Sequence, residues 1–229
     1  HELATNPNHP KTSQPTPGDF RRQYQYLQSH YDSIISIHLP HEMSGTYQSA
    51  KSASKRINDS AITVVDGLSA SVGLGLIVMR AAALVKDGRN HNEIEESLSE
   101  IITSTDIFIV VRDLSYVVKG GRLPRWVKTI ADFLHIQPIM TTKDNGSMGL
   151  ASVIRETADL PAKMSKFILG KMDADKFYNI SIGHSNILTD GEKLKEMIQK
   201  GHHNLNSIYL MDIGCALGVH AGPGSLAVA

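Results

Sequence analysis

The sequence predicts an α/β protein: an N-terminal α/β domain on a parallel sheet, then a C-terminal α+β domain on a mainly antiparallel sheet. Three observations predict it. Residues 12–104 alternate helical stretches with short β-branched runs, and that alternation implies parallel strands covered by helices on both faces. Beyond residue 105, the apolar runs Ile136–Thr142 and Met148–Arg155 flank Asp144-Asn145-Gly146, which is a hairpin signal. The chain has 229 residues, enough for one large or two small domains that need no disulfide staples. The expected domains are 1–104 and 105–229.

The first domain opens with a proline loop at Asn6–Pro10 and an extended Lys11–Pro15. Thr16-Pro17-Gly18-Asp19 then reads as a helix start, with Thr16 at N-cap, Pro17 at N1 and Asp19 closing a capping box. Phe20, Tyr24 and Leu27 form one apolar face. Ser33–His38 reads as a buried strand, and Ser44-Gly45-Thr46 opens the next helix. Ala61–Asp66 is a second strand. A long helix follows from Ser71 through Val72, Leu76, Met79 and Ala83 to Asp87-Gly88. Its Gly73 and Gly75 would allow close approach of another backbone or a ligand, and are read as close-packing positions. Asn92 is expected to cap a further helix through Ile94, Leu98 and Ile102.

In the second domain, Ile107–Val111 reads as a strand. Leu114–Lys119 is a short helix stopped by Gly120-Gly121. Another helix runs through Trp126, Ile130 and Phe133. After the hairpin come a helix from Leu160, a strand at Tyr178–His184, a helix at Gly191–Gln199 and a strand at Ile208–Met211. Gly218-Val219-His220 leads into the turn Ala221-Gly222-Pro223-Gly224.

Composition excludes several functions. Lys+Arg and Asp+Glu both number 23, for zero formal charge, which argues against nucleic-acid binding. The single cysteine, Cys215, cannot form an internal disulfide; a reducing, cytoplasmic setting fits. No apolar run approaches the roughly 20 residues of a membrane span, so no stable membrane insertion is expected. No Rossmann fingerprint, P-loop, zincin spacing or nucleophile elbow is present. No metal, cofactor or catalytic residue is expected. His202-His203 and His41-Glu42 read as solvated loop pairs, and Cys215, in an apolar–glycine context, reads as a packed thiol.

Three features could meet an anion. The Ser44-Gly45-Thr46 turn puts hydroxyls and backbone N–H groups at a helix start, where the helix dipole favours negative charge; it could equally be an ordinary N-cap. Arg122, after two glycines, could present its planar fork to a phosphate, or be a surface arginine. His220, on a glycine–proline turn, could be a ligand group poised near neutral pH, or a turn histidine bonded to backbone.

Taken together, several segments resemble the DegV family, the bacterial fatty-acid-binding proteins that serve as the lipid-carrying subunit of fatty acid kinase. They are Thr12-Ser13-Gln14-Pro15-Thr16-Pro17-Gly18-Asp19-Phe20, Ser44-Gly45-Thr46-Tyr47-Gln48-Ser49-Ala50, Val65-Asp66-Gly67-Leu68-Ser69-Ala70-Ser71, Asp113-Leu114-Ser115-Tyr116 with Lys119-Gly120-Gly121-Arg122, Gln137-Pro138-Ile139, and His220-Ala221-Gly222-Pro223-Gly224. The resemblance implies a DegV-like fold holding a long-chain fatty acid between two domains. It implies a carboxylate site at Thr12, Ser13, Ser44, Gly45, Thr46 and His220, with Arg122 and His220 facing phosphoryl transfer or the partner. An ATP-binding kinase subunit would phosphorylate the bound acid to an acyl phosphate. The acyl tail would lie in an apolar tunnel whose lining the sequence does not assign.

The resemblance also implies an opening strand with an Asp-Ser loop that has no counterpart here, so the first domain is expected to lack its upstream strand. Ala221 stands where the family usually has Thr, Gly67 where Ser is common, and Pro40–Met43 where a Ser-rich loop is usual. The competing readings are a small-molecule phosphotransferase or hydrolase using His220 and Arg122, and a regulatory protein with a vestigial pocket.

Overall fold

The computed structural model describes residues 9–57, 61–155 and 159–229. The Asn6–Pro10 loop lies mostly outside them. The chain divides into two units, one comprising the residues to Thr12, Ile107–Thr141 and Met148–Ala229, the other Ser13–Asp106 and Thr142–Ser147. Two short segments thus depart from a division into continuous halves: the opening residues group with the C-terminal elements, and the tip of the hairpin groups with the N-terminal ones.

The unit of Ser13–Asp106 is built on two parallel strands, β1 (Ile34–His38) and β2 (Ile62–Asp66), in register from Ile34 opposite Ile62 to His38 opposite Asp66. Successive strand residues point to opposite faces. Ile34, Ile62 and Val64 therefore pack on helices α1 (Pro17–Gln28) and α2 (Thr46–Ile57), with Phe20, Tyr24, Leu27, Ala50 and Ala53. Ile35, Ile37 and Val65 pack on α3 (Ser71–Lys86) and α4 (His91–Thr103), with Ile77, Ala81, Ile94 and Leu98. Helices cover both faces, as the alternation predicts.

The local signals were mostly sound. Thr16 and Asp19 form the capping box with Pro17 in the first turn. The cap of α4 is Asn90 rather than Asn92, because Asn90 Oδ1 accepts from Glu93 N at 3.1 Å and Glu93 Oε2 accepts from Asn90 N at 2.9 Å. Both asparagines have a Glu three residues on, Glu93 and Glu95; the first pair forms the box, while Glu95 Oε2 accepts from Thr63 Oγ1 at 3.0 Å. Gly75 is not a close-packing position: a methyl group there would meet nothing within 4 Å.

The other unit is a six-stranded sheet in the order β5-β4-β3-β8-β6-β7, formed by β3 (Phe108–Val110), β4 (Ile136–Thr142), β5 (Met148–Arg155), β6 (Tyr178–His184), β7 (Leu205–Asp212) and β8 (Leu226–Val228). The pairs β3–β4, β3–β8 and β6–β8 are antiparallel, and β6–β7 is parallel. The last strand thus inserts into the middle of the sheet. One face holds the main core, with Phe108, Ile139, Ile182, Leu226 and Val228 against α7 (Leu160–Leu169) and α8 (Leu188–Gly201). The other face carries Val111, Leu114, Val117, Ala131 and Met140 under the short helices α5 (Ser115–Lys119), α6 (Arg125–Phe133) and α9 (Cys215–Ala221).

Two expectations are corrected here. His202 is buried, not solvated: Nδ1 accepts from Asn204 N at 3.1 Å, Nε2 lies 3.1 Å from Asp173 O, and the ring stacks edge-on to Tyr178. Cys215 is exposed rather than packed, because it opens α9 at the surface. The helix expected through Trp126, Ile130 and Phe133 forms as α6; these three side chains are exposed and Ala131 is buried.

Candidate functional site

The six residues expected at a carboxylate, with Arg122, fall into two sets. Thr12, Arg122 and His220 belong to the unit of the six-stranded sheet; Ser13, Ser44, Gly45 and Thr46 belong to the other.

In the first set, His220 sits in the last turn of α9. Its Nε2 is 2.8 Å from Thr12 Oγ1. Its Nδ1 edge lies flat on Gly120, where an added Cβ would stand 2.1 Å from Nδ1. That contact explains the glycine directly after α5. Gly121, next in line, takes φ +75 and turns the chain, so that Arg122 doubles back and donates from Nη1 to Gly120 O at 2.6 Å. The second wall of the cluster is the glycine–proline turn. Gly222 has φ +69 and lies on the Tyr116 ring, 2.5 Å from Cδ2 for an added Cβ. Ser225 Oγ donates to Ala221 O at 2.6 Å. His9 lies 5.9 Å from Tyr116, ring to ring. The two glycine motifs of the sequence therefore pack their turns around one histidine.

The electrostatics of this cluster are one-sided. Burial, then the Arg122 guanidinium, then His9 hold the His220 pKa below its ordinary value. Nδ1 is buried without a hydrogen-bond partner among the described residues. Charging the ring would bury an unpaired N–H, which is costly. The cluster therefore holds a neutral imidazole, a hydroxyl and a guanidinium, a set suited to accepting an anion. Neutral donors and one delocalised cation can bind a carboxylate with charge-assisted hydrogen bonds.

In the second set, Ser44 N donates to Pro40 O at 3.0 Å, and Ser44 Oγ lies 2.8 Å from Thr46 Oγ1 and accepts from Thr46 N at 3.3 Å. Ser49 N closes the first helical turn onto Gly45 O at 2.9 Å. The hydroxyls thus sit at the start of α2, where backbone donors gather. Gln14 packs over Gly45 and reaches Ser49 Oγ at 3.4 Å. Ser13 is exposed. Gly67 has no room for a Ser: a Cβ would stand 2.5 Å from Leu74 Cδ1 and 2.8 Å from His38 O.

Sequence reasoning weighed Asp66 only as a strand-end cap or as the extra acid of an enzyme, and missed its role as a tether. Its Oδ2 lies 2.6 Å from His41 Nδ1 and accepts from His41 N at 3.2 Å, while Oδ1 accepts from Leu68 N at 3.1 Å. It also missed a half-buried relay, Tyr24 Oη to Ser36 Oγ at 2.7 Å and Ser36 Oγ to His38 Nε2 at 2.7 Å. The signal for the relay was available: Ser36 and His38 are two apart on one strand, so they share a face. A groove of about 540 Å³ runs along Ile35, Ile37, Val78, Ala82 and Val85. None of the candidate head-group residues lines it. Among the described residues no group of three or more His, Cys, Asp or Glu side chains could hold a metal.

The DegV family model matches residues 1–229. The chain belongs to the DegV family. A DegV domain-containing protein of Staphylococcus aureus is 31% identical over 216 residues, spanning 94% of this chain and 76% of that protein. A fatty acid binding DegV family protein from Streptococcus agalactiae superposes with a TM-score of 0.86 at 25% identity, over 99% of this chain and 80% of that one. The Streptococcus pneumoniae fatty acid kinase B3 protein, loaded with linoleic acid, superposes with a TM-score of 0.86 at 20% identity, over 99% and 79%. The α/β architecture described above, with a small parallel sheet and a larger mixed one, matches DegV structures at TM-scores of 0.83–0.88. Among the described residues no helix is long and apolar enough to cross a membrane.

Proposed function

We propose that this DegV protein carries one long-chain fatty acid and presents its carboxylate to an ATP-binding fatty acid kinase subunit in the cytoplasm. The observation that carries the reading is the Thr12–Arg122–His220 cluster, where one guanidinium and a hydroxyl meet a histidine kept neutral. Thr12 and His220 bind the carboxylate oxygens. Ser13, Ser44, Gly45 and Thr46 supply the hydroxyl and backbone donors of the second set. Arg122 holds charge as it develops during transfer. The partner moves the γ-phosphoryl group of ATP to a carboxylate oxygen, leaving ADP and an acyl phosphate. The carrier contributes binding and orientation and no covalent step of its own. Fatty acids held by DegV relatives support the ligand class.

Unfolding the purified protein in organic solvent, with mass spectrometry of the released lipid, tests this. The expected yield is near one fatty acid per chain, converted to acyl phosphate only when a kinase subunit and ATP are added. An empty protein that also fails to take up added fatty acid contradicts the reading. So does turnover of a phosphoester by the chain alone.

A further inference from the structure

We propose that His41 is a positioning residue: it pins the segment leading to the Ser44-Gly45-Thr46 turn onto Asp66, and so sets those donors for the fatty-acid head group. The inference rests on the carrier reading above.

One carboxylate joins two loops. Asp66 Oδ2 takes both the backbone N–H of His41, at 3.2 Å, and its Nδ1, at 2.6 Å; Oδ1 takes Leu68 N at 3.1 Å. The pinned residue stands three positions before Ser44. The intervening turn is tight, because Pro40 O accepts from both Met43 N at 2.9 Å and Ser44 N at 3.0 Å. Pro40 is itself wedged against Gly146 at the hairpin tip, where φ is +80 and an added Cβ would lie 2.7 Å from Pro40 Cβ. A rotation at residue 41 therefore has no slack to absorb it before Ser44. Ser44 Oγ, in turn, fixes Thr46 Oγ1 at 2.8 Å. The imidazole is half exposed and Asp66 nearly buried, at 50% and 16% of their side-chain surface. The pin therefore senses solvent while anchored to a fixed group.

The pin strengthens on protonation. The groups facing His41 are Asp66 at the end of β2, Glu42 on its own loop with Oε1 3.3 Å from Nε2, and the Tyr47 ring of α2 at 6.3 Å. Lys51 lies over that ring, 5.3 Å from its centre. His38 at the end of β1 shares the field of Asp66. On the hairpin, Lys143 and Asp144 flank the tip that meets Pro40. Both nearest charges are negative. The hydrogen bond to Asp66, with the charges of Asp66 and Glu42, holds the His41 pKa above its ordinary value. By linkage the extra stabilisation is complete below the ordinary histidine pKa and is lost as pH rises through the raised one.

The test measures the dissociation constant of cis-parinaric acid, a fluorescent fatty acid, from pH 6 to 8.5 for the natural protein and His41→Gln. Amide hydrogen exchange over residues 41–46 is followed in both. His41 is exposed, so the variant should fold. The natural protein should bind about 2- to 5-fold tighter than the variant at pH 6, the range expected of an exposed ion pair, and the ratio should fall toward one by pH 8.5. Exchange at 41–46 should be faster in the variant at pH 6. Binding by both proteins with one shared pH profile and equal exchange overturns the pin and leaves the carrier reading standing. No binding by the natural protein at any pH overturns the carrier reading and the pin with it.

Discussion

Two histidines on two candidate head-group segments have opposite surroundings. His220 lies among Arg122, His9 and a hydroxyl, and is pushed toward its neutral form. His41 lies between Asp66 and Glu42, and is drawn toward its charged form. The residue type is the same, so the difference comes entirely from the neighbours. The named charges acting on His220, those of Arg122 and His9, both oppose its protonation. A histidine already paired with acids is engaged in holding the chain. The comparison separates a histidine held neutral beside a hydroxyl from one held by acids.

The largest break in this comparison should come from Gly120→Ala. The new methyl would stand 2.1 Å from His220 Nδ1, while Thr12 holds the far edge of the ring. We expect at least a tenfold loss of fatty-acid affinity and about 1–3 kcal/mol of stability, the usual cost of overpacking, read by ligand titration and urea unfolding. Gly75→Ala is the matching control. It sits in α3 with open space around it, and should gain up to about 1 kcal/mol from helix propensity.

A smaller effect sharpens the electrostatic half. Arg122→Gln removes the cation that faces His220. The His220 titration followed by NMR should move up but stay below the ordinary range, because burial is the first cause of its depression. Fatty-acid affinity should fall about 10-fold, in line with losing a charge-assisted hydrogen bond.

The smallest effect is on stability against pH. A histidine with a depressed pKa in the folded state stabilises fully above its ordinary value, about 6.5, and that contribution is lost as pH falls through the depressed one. His220 and the half-buried His38 act in this sense. His41 acts in the opposite sense and loses its contribution on the alkaline side. Urea midpoints from pH 5 to 9 should therefore flatten on the acid side in His220→Gln and on the alkaline side in His41→Gln.

Much of the fold was legible because short-range rules decided it. Thr16-Pro17-Gly18-Asp19 announced a capped helix, and Asp144-Asn145-Gly146 a hairpin, through backbone chemistry contained in four residues. The insertion of Leu226–Val228 between β3 and β6 was not legible, since a three-residue strand has too little pattern to name its neighbours. Gly120 and Gly222 could be read as turn residues, but the reason for each is a ring brought in from far along the chain, His220 for one and Tyr116 for the other. The opposite error occurred at His202, where a polar sequence context hid a buried ring satisfied by Asp173 and Asn204. Of the candidate site, the residue types could be named from motifs. That Thr12 bonds His220 across 208 positions required the fold.

The most direct test of the account compares oleate with oleyl alcohol, ligands that share a tail and differ in head group. Binding of each would be measured by calorimetry to the natural protein and to Arg122→Gln. The account predicts that oleate binds at least about tenfold more tightly, and that the variant loses most of this preference while its affinity for the alcohol is unchanged. Equal affinity for the two ligands in the natural protein would contradict a carboxylate site at Thr12, Arg122 and His220.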